Sequence, residues 1–187
     1  MPTIEEFLED AKRRMDKSID TTRTEFNSVR TGRASAALLD RITIDYYGTP
    51  TPLKNMATIG VPEPRLLTVQ PFDPSQIKAI EKAVMESDLG LTPSNDGKIV
   101  RLPIPQLTEE RRKELVKLVR RYGEDGKVAI RNVRRDVLKH LEDLVKNGEV
   151  GDDEERRGEA QVQKLTDEHV GSIDELIRHK ESEIMEV

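Results

Sequence analysis

The sequence predicts an α+β protein in which a long antiparallel three-helix bundle, residues 1–30 and 106–187, carries an inserted small β/α/β domain, residues 31–105. Both ends of the chain show apolar residues at helical spacing, arranged in single stripes. The middle loses this period, and proline and glycine occur throughout residues 48–105. Apolar residues make up 35% of the chain and charged residues 36%, which suits narrow helical seams better than one large core.

Two of the predicted helices follow from uninterrupted stripes. Residues 3–30 contain no internal glycine or proline, and their stripe consists of Ile4, Leu8, Ala11, Met15, Ile19, Thr22, Phe26 and Val29. A second helix is expected to begin after Thr108, an N-cap followed by two glutamates, and to end at residues 146–148. Its stripe consists of Leu115, Val119, Tyr122, Gly126, Ala129, Val133, Val137, Leu141 and Leu144.

A third helix is expected after Asp152, which we interpret as its N-cap, with acidic residues favourable near the positive helix end. Its seam consists of Val162, Leu165, His169, Ile173, Leu176 and Ile184. At about 1.5 Å per residue the three helices extend roughly 40 to 60 Å. Helices of this length with single stripes need a shared core, which a three-helix bundle provides.

The middle segment predicts a small sheet backed by a helix. Strands are expected at 41–47, 66–69 and 99–102, and a helix at 75–87. Glycine permits bending and proline stiffens a connection, so we expect the links to the bundle to form a hinge at Arg30, Thr31, Gly32, Arg33, Pro103, Ile104 and Pro105. An ordinary rigid pair of crossovers is the alternative.

The composition excludes several protein classes. The chain has no cysteine, which excludes disulfides, thiolate catalysis and zinc fingers, and fits a reducing compartment. Its first residues are acidic, and no run of 18 apolar residues occurs, so neither a secretory signal nor a membrane span is predicted. We therefore expect a cytoplasmic protein that does not bind membranes.

No catalytic motif is recognisable. His140, His169 and His179 lack partners at metal-binding spacing, and the first two fall near helical seams, where packing explains them. Helix capping accounts for the acidic residues 152–155. Because no P-loop, dinucleotide fingerprint or nucleophile elbow occurs, any nucleotide hydrolysis has to come from a partner. We expect no enzyme activity, no metal and no cofactor.

The second helix carries the strongest functional signal, a basic stripe opposite its apolar stripe. Net charge is +3 over 105–150, against −1 over 1–30, 0 over 31–104 and −7 over 151–187. At about 100° per residue, the side chains within roughly 60° of Arg131 are Lys113, Lys117, Arg120, Lys127, Arg134 and Arg135. A guanidinium binds phosphate through two hydrogen bonds, and aromatic residues are scarce. The stripe therefore predicts contact with an RNA backbone rather than base stacking.

Other interpretations of the stripe stay open. A charge run interrupted by Glu124 can be a solvated face. A scaffold protein would pair the bundle with another helical protein, and this needs a second apolar face on the outside of the bundle. Each predicted helix has a single apolar stripe, which the three-helix core already buries, so this interpretation is weaker. Gly123 and Gly126 each weaken the helix by about 1 kcal/mol if exposed. Gly126 falls on the seam and permits close packing, whereas the spacing does not explain Gly123.

Seven segments of the sequence resemble the bacterial ribosome recycling factor family, over essentially the whole chain. They are Met15-Asp16-Lys17, Arg30-Thr31-Gly32-Arg33-Ala34-Ser35, Tyr46-Tyr47-Gly48-Thr49-Pro50-Thr51-Pro52-Leu53, Ser87-Asp88-Leu89-Gly90-Leu91, Leu107-Thr108-Glu109-Glu110-Arg111-Arg112-Lys113, Arg131-Asn132-Val133-Arg134-Arg135-Asp136 and Val162-Gln163-Lys164-Leu165-Thr166-Asp167. The sequence departs from the commoner family pattern at Gly123 and Gly126, where helix-favouring residues are more usual.

This resemblance implies a fold and a function. The fold is a three-helix bundle joined to a mobile β/α/β domain, L-shaped and with dimensions like a tRNA. The implied function is ribosome recycling after translation termination. The factor binds the post-termination ribosome between the subunits, with its bundle against large-subunit rRNA. Together with elongation factor G and GTP it splits the subunits and releases mRNA and tRNA. GTP is used by the partner, and we expect a monomer.

The resemblance also implies roles for single residues. Arg131 and Arg134 match family arginines that bind rRNA, Arg30 and Arg33 lie beside the linker, and residues 31–105 form the part that the elongation factor moves. The predicted rRNA-binding set is Lys127, Arg131, Asn132, Arg134, Arg135 and Arg30.

Overall fold

A computed structural model describes residues 2–186, which contain the helices α1 (Ile4–Asn27), α2 (Ile77–Glu86), α3 (Glu109–Lys146) and α4 (Asp152–Met185). The chain divides into two compact units. The helical unit comprises the chain up to Thr31 together with Glu109–Glu186, and the sheet unit comprises Gly32–Thr108. The first boundary follows residue 31 rather than the predicted residue 30, and the second follows residue 108 rather than the predicted residue 105.

The helical unit is a three-helix bundle of α1, α3 and α4, as predicted. Thr3 caps α1 reciprocally: the Glu6 amide donates to Thr3 Oγ1 at 3.2 Å, and the Thr3 amide donates to Glu6 Oε2 at 2.7 Å. Helix α3 runs antiparallel to both others. Arg14 pairs with Asp136 while Thr22 lies against Gly126, and Arg120 pairs with Glu181 while Lys127 pairs with Asp174. Consequently α1 and α4 run parallel.

Apolar side chains from all three helices form the core of the helical unit. The buried cluster consists of Ala11, Met15, Ile130, Val133, Val137, Leu141, Leu144, Val162 and Ile173. Burial of a side chain of this size stabilises a fold by about 1.5 to 3 kcal/mol. The stripes read from the sequence therefore form the seams, although Tyr122 and Ala129 are only half-buried, and Gly123 and Ile130 take the buried positions beside them.

A polar contact crosses this core between α1 and α4. His169 is buried, and its Nδ1 lies 2.6 Å from the Leu165 carbonyl oxygen while its Nε2 lies 2.8 Å from Asp16 Oδ1. The Leu165 carbonyl oxygen and the ionised Asp16 carboxylate can only accept hydrogen bonds. The ring therefore donates both hydrogen bonds only when each of its nitrogens carries a proton. The Lys12 ammonium and the His169 ring each lower the pKa of Asp16. The seam position predicted for His169 is thus filled by a polar contact with Asp16.

The sheet unit contains two antiparallel sheets. Strands β1 (Thr43–Tyr46) and β2 (Thr49–Pro52) form a hairpin. Strands β3 (Ala57–Glu63), β4 (Leu66–Pro71), β5 (Ser94–Asn95) and β6 (Val100–Pro103) form a sheet in the order β3-β4-β6-β5. Helix α2 contributes Ile77, Ile80 and Val84 to the core, which also contains Leu67, Val69, Val100 and Leu102. The predicted strands at 41–47, 66–69 and 99–102 and the predicted helix at 75–87 are confirmed as β1, β4, β6 and α2.

Several local predictions were wrong. The first helix ends at Asn27, three residues before the predicted end at residue 30. Gly151, not Asp152, is the N-cap of α4, and its amide donates to Glu154 Oε2 at 3.3 Å. His140, by contrast, is explained by packing as predicted: it is exposed and stacks on Phe7 at the edge of the bundle, with ring centroids 4.8 Å apart. Strands β2, β3 and β5 were not predicted.

Asp96 in the β5–β6 turn gives the sheet unit a measurable acid titration. Asp96 Oδ1 accepts from the amides of Ile99 and Lys98 at 2.9 and 3.0 Å, and Oδ2 accepts from Arg101 at 2.9 Å. These contacts, the Ile99 amide first, lower the pKa of Asp96 from 3.8 to about 2. A depressed carboxyl pKa stabilises the folded state above the unfolded value, and this contribution is lost as pH falls through the folded value.

We therefore expect the Asp96 carboxyl resonance to titrate with a midpoint near pH 2 in NMR spectra. In the Asp96→Asn variant, the stability of the sheet unit should lose the part of its pH dependence that falls between pH 3.8 and about 2. Arg101→Ala should leave the midpoint well below 3.8, because the backbone amides are the larger cause. A wild-type midpoint at the ordinary aspartate value would contradict this description of the turn.

Candidate nucleic-acid interface

Helix α3 presents the basic stripe, and its two neighbours in the bundle divide that stripe. The buried residues of α3 include Val119, Gly126, Val133 and Val137, which fixes the rotation of the helix about its axis. With about 100° per residue, the side chains flanking this seam face α1 on one side and α4 on the other. The remaining arc of α3 faces solvent. Each predicted site residue therefore has one of three surroundings.

The side facing α4 is a row of cross-helix polar contacts at seven-residue spacing, which we call the ladder. Arg120 Nε donates to Glu181 Oε1 at 2.6 Å, Lys127 pairs with Asp174, and Arg134 Nη1 donates to Gln163 Oε1 at 3.1 Å. Gln163 in turn donates to Asp167 Oδ1 at 2.9 Å. Seven residues are close to two helical turns, so these three side chains of α3 lie in line along the helix.

The ladder corrects the predicted orientation of two site residues. Lys127 and Arg134 were expected on the outward face, but the Lys127 side chain is only 17% exposed, and Arg134 is half-buried against α4. Arg134 Nε is buried and, within residues 2–186, has no hydrogen-bond partner. The physical reason is the acidic and polar edge of α4, which attracts cations of α3 sideways. At the rim of the interface, Lys127 is thus paired with a carboxylate, and Arg134 is held by the neutral amide of Gln163.

Arg131 and Arg135, which we call the outward arginines, are exposed as predicted. Arg131 Nη1 lies 3.3 Å from Glu124 Oε1, in a pair whose two side chains are 45% and 60% exposed. Arg135 donates to Asn132 Oδ1, and Asn132 is exposed beside it. An exposed ion pair contributes at most about 1 kcal/mol, so phosphate can replace these partners at little cost.

The predicted hinge residues have different surroundings within their own units. Arg30 and Arg33 are exposed, and Thr31 is buried. Gly32 has φ +76°, and a Cβ there would lie 3.1 Å from Leu107 Cγ, so this position favours glycine on two grounds. Pro103 closes β6, the Ile104 amide donates to the Arg65 carbonyl at 2.8 Å, and Pro105 is exposed.

A groove between α1 and α3 borders the outward face and was missed in the sequence. Its volume is about 530 Å³, and it is lined by Arg14, Lys17, Ser18, Thr21, Thr22, Glu25, Asp125, Gly126, Ala129, Asn132 and Val133. Arg14 Nη2 donates to Asp136 Oδ2 at 2.7 Å, and this contact lowers the pKa of Asp136. The cations of α1 could have been found in the sequence, but the register that brings them beside Asn132 could not.

Residues 2–186 contain neither a cluster of metal-ligating side chains nor a membrane-spanning helix. Among residues 2–186, no group of three or more His, Asp and Glu side chains is arranged to hold a metal ion. Likewise, none of the helices in this range is both long enough and apolar enough to cross a lipid bilayer. The acidic residues 152–155 form the first turn of α4, where carboxylates interact favourably with the helix dipole.

Comparison with known proteins gives consistent matches. The sequence profile of the family described as Ribosome recycling factor matches residues 22–185. The ribosome-recycling factors of Rubrobacter xylanophilus and Geobacillus kaustophilus are each 56% identical to this chain over 180 residues, which cover 96% of this chain and 97% of each relative. The similarity therefore extends along nearly the whole length of this chain and of both relatives.

Two solved structures match the whole fold. A solution structure of the ribosome recycling factor covers 100% of both chains with a TM-score of 0.79 and 38% identity. A second match, with 46% identity and a TM-score of 0.67, covers 98% of this chain and 100% of the other. It comes from models for the T. thermophilus ribosome recycling factor and the E. coli elongation factor G bound to the E. coli post-termination complex. Sequence, fold and length agree, and the chain belongs to the ribosome recycling factor family.

Proposed function

We propose that this protein recycles ribosomes after translation termination, binding the post-termination ribosome through large-subunit rRNA. Together with elongation factor G and GTP it splits the subunits and releases mRNA and tRNA. The observation that carries this proposal is the pair of outward arginines on a helix that two neighbours hold in fixed rotation. The family membership, and the relative that is bound with elongation factor G to a post-termination complex, support the choice of partner.

In this proposal the protein acts mechanically and has no catalytic group or cofactor of its own. The predicted set of Arg30, Lys127, Arg131, Asn132, Arg134 and Arg135 binds rRNA, with the outward arginines giving the phosphate contacts. GTP hydrolysis belongs to the elongation factor, which moves the sheet unit while rRNA holds the helical unit. The hinge residues 30–33 and 103–105 absorb the movement, and the resulting strain acts on contacts between the ribosomal subunits. The protein works as a monomer in the cytoplasm.

The contact with rRNA is tested by the double variant Arg131→Ala/Arg135→Ala. Loss of two phosphate contacts should weaken binding to ribosomes about ten-fold or more and reduce the slope of log affinity against log salt by about two. Both side chains are exposed, so the helical circular dichroism and thermal unfolding should stay at wild-type values. Sedimentation of ribosomes with bound protein over a salt series measures both quantities.

Arg178→Ala is the matched control, since Arg178 is an exposed arginine on α4 outside the ladder and the groove. It should leave affinity and salt slope unchanged. The same variants are then compared in polysome splitting with and without elongation factor G and GTP. Wild-type affinity of the double variant would contradict the proposed face, and splitting that does not require the elongation factor would contradict the proposed mechanism.

A further inference from the structure

The ladder leaves the positive charge of α3 unevenly distributed. Arg120, Lys127 and Arg134 point toward α4, where Glu181, Asp174 and the Gln163-Asp167 pair contact or surround them. The outward arginines have weaker partners, Glu124 at 3.3 Å and the neutral Asn132. Phosphate is therefore attracted more strongly to the solvent-facing arc of α3, which borders the groove with α1, than to the side of α3 that faces α4.

The α1–α3 groove continues from this part of α3. Asn132, which contacts Arg135, lines the groove together with Arg14 and Lys17 of α1. Arg14 is engaged by Asp136 at 2.7 Å and Asp10 at 3.8 Å. Lys17 is exposed and, within residues 2–186, forms neither an ion pair nor a side-chain hydrogen bond. Lys17 is thus a cation of the groove that is available to a ligand.

The groove is also polarised along its length. Lys17, Arg14 and Asn132 line one end, whereas Glu25 and Asp125 line the other. The hydroxyl groups of Ser18 and Thr21 lie between the two ends. An anion is attracted to the first end and repelled from the second, which limits how far a phosphate chain can extend into the groove.

We propose that the Lys17 end of the groove binds the phosphate backbone of the same RNA strand that the outward arginines hold. The RNA-binding surface then spans two helices, α3 and α1, rather than one. This inference rests on the proposed function, because it assumes that the outward arginines contact rRNA. Contacts on both α3 and α1 hold the RNA strand at points that are separated across the bundle axis as well as along it. Lys17 therefore determines the orientation of the helical unit on the RNA.

Lys17→Ala tests the inference on large ribosomal subunits. We expect a three- to ten-fold loss of affinity and a salt slope reduced by about one. Unfolding should be unchanged, because Lys17 has no ion pair or side-chain hydrogen bond to any residue between 2 and 186. Lys164→Ala is the matched control, an 80% exposed lysine on α4 that does not line the groove. Wild-type affinity and slope for Lys17→Ala, alongside a loss for Arg131→Ala/Arg135→Ala, would overturn the inference and leave the proposed function intact. If neither variant loses affinity, the proposed RNA face itself is wrong.

A direct readout uses the lack of natural cysteine in the chain. Lys17→Cys and Lys164→Cys each provide a unique attachment point for an iron chelate that cleaves nearby RNA with hydroxyl radicals. Strong rRNA cleavage from position 17 and weak or distinct cleavage from position 164 is the expected result. Absence of cleavage from position 17 on subunits that the labelled protein still binds would exclude the α1 contact.

Discussion

Ile173→Ala is expected to lower the free energy of unfolding of the helical unit by about 2 to 5 kcal/mol. Ile173 is fully buried in α4 and belongs to the cluster that α1, α3 and α4 share. Its Cδ1 would lie 2.9 Å from a Cβ at Gly126, so it fills the space that this glycine leaves on α3. Truncation removes the transfer free energy of three carbons and leaves a cavity between helices.

Urea unfolding followed by far-UV circular dichroism measures this effect, since α1, α3 and α4 contain most of the helical residues. Val128→Ala is the control, because Val128 is 44% exposed on the outward face of α3 and should change stability by less than about 0.5 kcal/mol. Equal losses in the two variants would mean that Ile173 does not occupy the shared core.

Gly126→Val is expected to destabilise the helical unit by about 3 kcal/mol, although valine favours a helix more than glycine does. A Cβ at position 126 would lie 2.2 Å from Thr22 Oγ1 on α1. Thr22 is buried, and its hydroxyl donates to the Ser18 carbonyl at 2.9 Å. Because threonine is β-branched, the Thr22 side chain cannot rotate freely away from the added valine. The overpacking cost therefore exceeds the helix-propensity gain of less than about 1 kcal/mol.

Gly171→Val in α4 carries the same substitution to a glycine whose Cβ would meet nothing within 4 Å. It should be neutral or slightly stabilising in the same urea titration. Adding Thr22→Ala to Gly126→Val should recover part of the loss, giving a non-additive double-mutant cycle. Additive effects, or a stable Gly126→Val variant, would contradict the close approach of α1 and α3.

The helices were predictable because each needs only one stripe, whereas two of the missed strands contain residues that read as loop. Strand β2 is Thr-Pro-Thr-Pro, and β3 contains Gly60 and Pro62. Proline has no amide hydrogen to donate, so it is tolerated where a strand has no second neighbour that needs a donor, and both strands lie at the edge of a sheet. Edge position depends on strand order, which a single sequence does not contain.

The candidate site was predictable in composition but not in orientation. The period of α3 placed Arg131 and Arg135 outward correctly, because it needs only the apolar stripe as reference. It misplaced Lys127 and Arg134, whose direction depends on Asp174 and Gln163 in another helix. The seven-residue spacing of positions 120, 127 and 134 was a signal that could have revealed the ladder. Gly123 was unexplained for the same reason, since the side chain that fills its space is Ile177 of α4.

The helical unit is made from two stretches of chain, and this affects how it forms during synthesis. Helix α1 leaves the exit tunnel first, but its partners α3 and α4 follow only after residues 28–108 have been made. At about 5 to 20 residues per second, the apolar stripe of α1 waits roughly ten to thirty seconds for α4. The sheet unit is continuous in sequence and can fold on the nascent chain in that interval. The bundle of this protein therefore closes last, after nearly the whole chain has left the ribosome.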